Sequence, residues 1–201
     1  DKVLRVMLGS NVVSLDTSQA VDASSFEVIN DCMEGLLQLS PNGKIIPGIA
    51  ESYEVSPDGK TYTFHLRDAK WSNGDAVTAD DFVFAWRRHC ASANMYAFIM
   101  GKGVACIKNA DEVMQGADPS TLGVAAPDPK TFIVELTAPV PFFPSLMAFP
   151  SFFPINEKFY NSLEKDTYGM TPDTYLYNGA FEITSYLPGS PNIQLKKNPM
   201  Y

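Results

Sequence analysis

Histidine and cysteine are scarce in this chain, and the scarcity removes much chemistry from consideration. Two histidines in 201 residues, His65 and His89, are too few and too far apart for a metal site or a catalytic triad. Three cysteines, Cys32, Cys90 and Cys106, have neither metal-binding nor redox spacing. Cys32 lies among Ile29, Met33 and Leu36 and reads as a small buried apolar residue, whereas Cys90 and Cys106 could pair in an exported protein. Long apolar runs are missing, so no stretch is able to span a bilayer. Basic charge is also short: 15 Lys and Arg against 23 Asp and Glu give a net charge of -8, which argues against a nucleic-acid partner. Gly-x-Ser-x-Gly, a phosphate-cradling loop and His-Glu-x-x-His are all absent. The adjacent Asp80 and Asp81 are explained by helix capping. No enzyme, cofactor or metal is expected from these residues.

What is present is enough apolar residue, 45%, to build a core. The chain is organised around Lys70 to Arg88. Trp71 opens it, Ser72-Asn73-Gly74-Asp75 turns it, and Thr78 with Asp81 three residues later predicts a capped helix carrying Phe82, Val83 and Trp86 on one face. Trp71 is expected to be buried behind the hairpin that precedes it. That hairpin runs through Tyr53 and Val55, turns at Ser56 to Lys60 and returns with Tyr62, Phe64 and Leu66 on one face and His65 on the other. A second hairpin is expected through Val124, Pro127-Asp128-Pro129-Lys130 and Phe132, Val134, Leu136. Together with the helix and a short one capped at Asn109, these elements predict an α+β unit.

Around that unit, Leu4, Val6 and Leu8 predict an opening strand, and Ser24-x-x-Glu27 a capping box for a helix with Phe26, Ile29, Met33, Leu36 and Leu37 as its stripe. Helices are expected over Phe142 to Met147 and Pro154 to Leu163, the latter capped by Asn156. A final hairpin should run through Ile183, turn at Pro188-Gly189-Ser190 and return through Ile193 and Leu195. Phe142, Phe143, Phe149, Phe152 and Phe153 read as core packing.

Several segments together carry a resemblance. Met33-Glu34-Gly35-Leu36-Leu37, Pro47-Gly48-Ile49-Ala50-Glu51, the strand ending at Leu66-Arg67, Lys70-Trp71-Ser72-Asn73-Gly74, Thr78 to Val83 and Asn178-Gly179-Ala180-Phe181 follow one another as they do in a known family. The chain resembles the extracytoplasmic oligopeptide-binding proteins of bacterial ABC transporters, the large peptide/nickel solute-binding family. Ser14-Leu15-Asp16 departs from its pattern only in having Thr17 where proline is usual.

The resemblance implies a periplasmic-binding-protein-like II fold of mixed α/β type. Residues 1–33 and 158–201 would belong to a first lobe and residues 34–157 to a small inserted domain, with the second lobe absent, so that this chain is part of a longer one. It implies a transport receptor that captures peptides and delivers them to a membrane permease, by closing two lobes around the ligand. Ligand contacts carried over from the family are the main chain of Val21-Asp22-Ala23 and the side chain of Tyr96. Read without the family, Val21 to Ala23 is a loop leading into a helix and Tyr96 is half-buried packing. An extracytoplasmic monomer is expected, held to the membrane only by a lipid anchor or the permease. Residues 1–201 alone should bind peptide weakly. Alternatives are a binder of a metal chelate, a haem-like ligand or a signalling peptide, a hydrolase completed by residues outside this chain, or a surface interaction module on the same fold.

Overall fold

The computed structural model describes residues 3–92 and 94–201. Its centre is the pair of hairpins that alternation predicts: β3 (Ala50–Val55) with β4 (Thr61–Leu66), and β5 (Val124–Asp128) with β6 (Thr131–Glu135). They join along β4 and β6 into one antiparallel sheet of order β3-β4-β6-β5, with Thr63 opposite Ile133. Tyr62, Phe64 and Leu66 from β4, and Phe132 and Val134 from β6, all turn to one buried face.

Helix α2 (Ala79–Ala91) covers that face. Its Phe82 and Trp86 rings lie 5.6 and 4.9 Å from Phe132, and Trp86 Nε1 donates to the carbonyl of Phe152 at 2.9 Å. The start of α2 is built as the motif predicts. Gly74 takes the positive φ of +90° in the preceding turn, and Asp81 accepts from the Thr78 amide at 2.9 Å. The same Asp81 Oδ2 accepts from Trp71 Nε1 at 2.9 Å, which ties a fully buried Trp71 to the helix it precedes. Burial pushes the Asp81 carboxyl up to about 6, against the pull of those donors.

Shorter elements surround this unit: α1 (Ala23–Cys32), the hairpin β1 (Leu37–Leu39) and β2 (Ile45–Pro47), α3 (Ala110–Met114), α4 (Phe143–Leu146), α5 (Glu157–Ser162), and the hairpin β7 (Phe181–Ser185) and β8 (Gln194–Lys197). One buried apolar cluster runs through all of it. The segments singled out in the sequence meet at one junction beside the sheet. Asn178 clamps Glu34, accepting from its amide at 2.9 Å and donating to its carbonyl at 3.0 Å. Ser72 and Tyr177 exchange two further bonds. Gly35 and Gly179 stand where a Cβ would come within 2.5 Å of the Met147 carbonyl and 2.6 Å of the Cys32–Met33 backbone.

Several expectations need correction. Residues 3–8 form no strand: Leu4 and Met7 are exposed, and no described strand lies beside them to take their backbone bonds. Ser24 does not cap α1. Asp22 does, its carboxylate accepting from the Ser25 amide at 2.8 Å and hydroxyl at 2.6 Å, while the buried Ser24 and Ser25 hydroxyls accept from the amides of Ser10 and Val13. The apolar stripe of α1 therefore ends at Cys32, and Leu37 starts β1. Asn109 precedes α3 in a left-handed conformation and donates to the carbonyl of Thr121 instead of capping. Cys90 and Cys106 do not pair; each thiol donates to a backbone carbonyl, of Ala110 and Lys102 respectively. Burial pushes the Cys90 thiol up to about 12.

Candidate functional site

The segment expected to meet a ligand's main chain lies immediately ahead of α1. Its neighbour Asp16 shapes it from the N-terminal side: the Asp16 carbonyl accepts from the amides of Gln19 and Ala20, and its carboxylate from the Ser18 amide at 2.9 Å. Arg88 then grips the Asp16 carboxylate with two bonds of 2.6 and 2.5 Å. Burial disfavours the Arg88 charge, yet the paired carboxylate outweighs it and raises the guanidinium's proton affinity. Beyond this turn, Asp22 spends its carbonyl and carboxylate on the helix start. Among the described residues, the amides of Val21, Asp22 and Ala23 and the carbonyl of Val21 have no hydrogen-bond partner. Val21 is 40% exposed and Ala23 is exposed as well.

Tyr96 comes from the loop after α2, five residues past its end. Its amide donates to Asn94 Oδ1 at 2.7 Å, and a 3-10 turn, Ala97–Met100, follows at once. The ring is half-buried and packs on Phe26 of α1, edge to face, with centroids 5.4 Å apart. Phe149 closes the triangle, 5.0 Å from Phe26 and 5.7 Å from Tyr96. Phe26 is one turn into the helix that Val21 to Ala23 leads into. Tyr96 is thus packed, through Phe26, on the helix that follows the Val21 segment.

Three rings of this cluster are not among the contacts expected from sequence: periodicity places Phe26 in the buried stripe of α1 and Phe149 in the core with its neighbours, and Phe98 carries no expectation. Phe143, Phe152 and Phe153 are indeed buried, but Phe149 is half-exposed and Phe142 is exposed. Phe98 carried a signal that a sequence reader could have used. It follows Met95 and Tyr96 in a run too apolar for a loop, and the 3-10 turn buries Ala97, Ile99 and Met100 while leaving Phe98 57% exposed.

Among the described residues no three His, Cys, Asp or Glu side chains are grouped to hold a metal. His65 is on the open face of β4, 3.7 Å from an exposed Glu54. A cleft of about 390 Å³ opens at the junction instead, lined by Asn30, Met33, Glu34, Gln38, Phe153 and Tyr201. Its one buried carboxylate, Glu34, is already taken by Arg67 at 2.7 Å and by the Gln38 amide, and burial raises its pKa despite both. None of the expected ligand contacts lines that cleft. No described helix is long and apolar enough to cross a membrane.

The chain is 37% identical over 195 residues to the periplasmic oligopeptide-binding protein OppA of Haemophilus influenzae, covering 96% of this chain and 36% of that protein. Its fold matches the substrate-binding domain of an oligopeptide ABC transporter from Bacillus anthracis with a TM-score of 0.91 at 44% identity, over 98% of this chain and 38% of that one. It also matches the Haemophilus influenzae OppA crystallised with the peptide RPPGFSPFR, with a TM-score of 0.90 at 39% identity, over 96% and 37% of the two chains. The chain spans little over a third of the length of these relatives. The profile of the middle region of one family matches residues 44–201, most of the sequence. The chain belongs to the bacterial extracellular solute-binding proteins, family 5.

Proposed function

We propose that this chain forms part of the substrate-binding component of an ABC transporter, one that captures oligopeptides outside the cytoplasmic membrane and passes them to a permease. The observation that carries this reading is that the amides of Val21 to Ala23 are free to bond, at the start of the helix whose Phe26 packs on the Tyr96 ring. An extended peptide laid along that segment would add to it as a strand adds to a sheet edge, so binding would draw on amides that every peptide has. Tyr96 would border the same groove. Capture needs no covalent step and no cofactor. Closure of a second lobe over the peptide would supply the remaining contacts and shift the protein to its closed state.

In this reading residues 1–33 and 158–201 form one lobe and residues 34–157 the domain inserted into it. Supporting the division, the central sheet is built entirely from residues 50–135, whereas the outer segments bond to each other, Gly179 to Cys32 at 2.9 Å and Gly189 to Val12 at 3.2 Å. The protein would act as a monomer, attached to the membrane only by a lipid anchor or its permease. The test is calorimetry on the native gene product with RPPGFSPFR and a pool of short peptides. Saturation at 100 times Kd should stabilise the protein by about 2.7 kcal/mol in a parallel melt, and Tyr96→Ala should weaken binding at least about tenfold. No heat and no melting shift with any peptide would refute the reading.

A further inference from the structure

Two tight turns of the chain are built alike. Ser40-Pro41-Asn42-Gly43-Lys44 closes β1 on β2, and Ser56-Pro57-Asp58-Gly59-Lys60 closes β3 on β4. In each, the glycine takes a positive φ, +77° at Gly43 and +71° at Gly59, and its amide donates to the serine carbonyl, at 2.9 and 2.8 Å. In each, the serine hydroxyl donates at 2.5 Å to the side-chain oxygen two residues on, Asn42 Oδ1 or Asp58 Oδ1. The difference in sequence is an amide at 42 against a carboxylate at 58. The second turn shows that the geometry accepts the acid: the Ser56 hydroxyl and the Lys60 amide hold the Asp58 carboxyl below its usual range.

Asparagine before glycine is a labile pair, because glycine has no Cβ to keep its amide nitrogen from the neighbouring side-chain carbon. The chain has three such pairs, and the fold treats them differently. Asn178 is buried, both ends of its amide hold the Glu34 main chain, and the Gly179 position is crowded by the Cys32–Met33 backbone. Asn73 is exposed but tied: its Oδ1 accepts from the Asp75 amide at 3.0 Å and its Nδ2 donates to the Asp75 carboxylate at 2.9 Å. Asn42 is exposed, and among the described residues its Nδ2 has no partner. Open space surrounds the place of a Gly43 Cβ. The Ser40 hydroxyl is aimed at Oδ1, the atom on which charge builds when a nucleophile attacks Cγ.

We infer that Asn42 is a site of self-modification, at which Ser40 polarises the side-chain amide and the Gly43 nitrogen displaces ammonia from it. The Gly43 nitrogen loses its proton to solvent base and forms a bond to Asn42 Cγ. The Cγ–Nδ2 bond breaks, and Nδ2 leaves as ammonia with a proton from water. Water then opens the cyclic imide. Cleavage at Cγ yields aspartate in an unchanged main chain; cleavage at the Asn42 carbonyl carbon yields isoaspartate, whose main chain is longer by a carbon. The first product turns Ser40 to Lys44 into the chemical copy of Ser56 to Lys60. The second alters the loop of the hairpin whose Leu37, Gln38 and Leu39 line the junction cleft.

The test ages the native gene product at neutral and at mildly alkaline pH and follows each Asn-Gly pair by peptide mass spectrometry, with isoaspartate counted by enzymatic carboxyl methylation. Asn42 should convert at least about tenfold faster than Asn73 or Asn178, which must first open their clamps, and faster still at the higher pH. Ser40→Ala should slow conversion at Asn42 about threefold or more, and Ser40→Thr should restore it. A purely structural Ser40 predicts the reverse, because losing its contacts with Lys44 loosens the turn and frees Asn42 to react. Conversion at Asn73 or Asn178 that matches Asn42, or an undiminished rate in Ser40→Ala, overturns the inference. So does the absence of any conversion at Asn42.

Discussion

His89 lies on the buried face of α2, 1% exposed, and among the described residues neither ring nitrogen has a close hydrogen-bond partner. Burial pushes its pKa down to about 4; the Tyr96 backbone and the Asp16 carboxylate pull it up only in part, and Arg88 adds to the depression. An unfolded histidine takes its proton near 6.5, so between 6.5 and 4 the unfolded chain binds more protons than the folded one. Stability from this group is therefore complete above pH 6.5 and is lost as pH falls towards 4. Asp81, raised to about 6, acts in the opposite sense, gaining stability as pH falls through 6. The wild-type profile mixes the two, but the difference between wild type and His89→Leu isolates the histidine. That variant should match wild type at pH 7, where it only removes two unbonded nitrogens. At pH 4 it should be more stable by up to about 3 kcal/mol, read from denaturant midpoints at both pH values. A constant difference would mean that His89 finds a partner on protonation. Nothing in the sequence around His89 marks it as buried, since its position on the inner face depends on how α2 lies across the sheet. Trp71 was different: the turn at Gly74 and the Asp81 cap fix its place within a dozen residues, and its burial was legible.

The same contrast holds for whole elements. Both hairpins of the sheet, the capped α2 and α5, and the β7–β8 hairpin follow from alternation, turn residues and caps, all of them local signals. The pairing of β4 with β6 and the clamp of Asn178 on Glu34 join residues about 70 and 144 apart, for which no periodicity exists. Order and spacing of the motifs carried the resemblance, yet only the folded chain gives the reason those residues stand there. Met33 to Leu37, Ser72 and Tyr177 to Ala180 meet at one junction, held by bonds to main-chain groups and by glycines with no room for a Cβ. Asn178→Ala should cost about 2–4 kcal/mol, because it removes two bonds and leaves a buried amide and carbonyl of Glu34 unsatisfied. Denaturant unfolding measures it. A loss below about 1 kcal/mol would show that water replaces the clamp and that the junction holds by packing alone.

For the molecule as a whole, the largest misreading was at its beginning. Alternation of Leu4, Val6 and Leu8 promises a strand, but a strand also needs a neighbour, and no single-segment pattern can supply one. The candidate site divides in the same way: the family resemblance implies Tyr96 and Val21 to Ala23, whereas the packing of Tyr96 on Phe26 and Phe149 arises only in three dimensions. What fixes their relative position is the ion pair of Arg88, from the helix over the sheet, with Asp16, which shapes the turn leading to Val21. Arg88 lies between that carboxylate and the ring of Tyr160, 4.6 Å from its centroid, and Asp16 is 5% exposed. A buried pair of this kind adds little over an apolar pair of equal volume, but losing one partner strands the other charge. Arg88→Met should therefore cost about 3–5 kcal/mol, and Asp16→Leu combined with Arg88→Met should recover most of it. Hydrogen exchange should show where the single variant loosens: protection of the Gln19 and Ala20 amides, bonded to Asp16, should fall well before that of β4 and β6. If both regions lose protection together, the pair supports the fold globally; if neither does, the turn is held by its own backbone bonds, and the position of Val21 against Tyr96 rests on Phe26 alone.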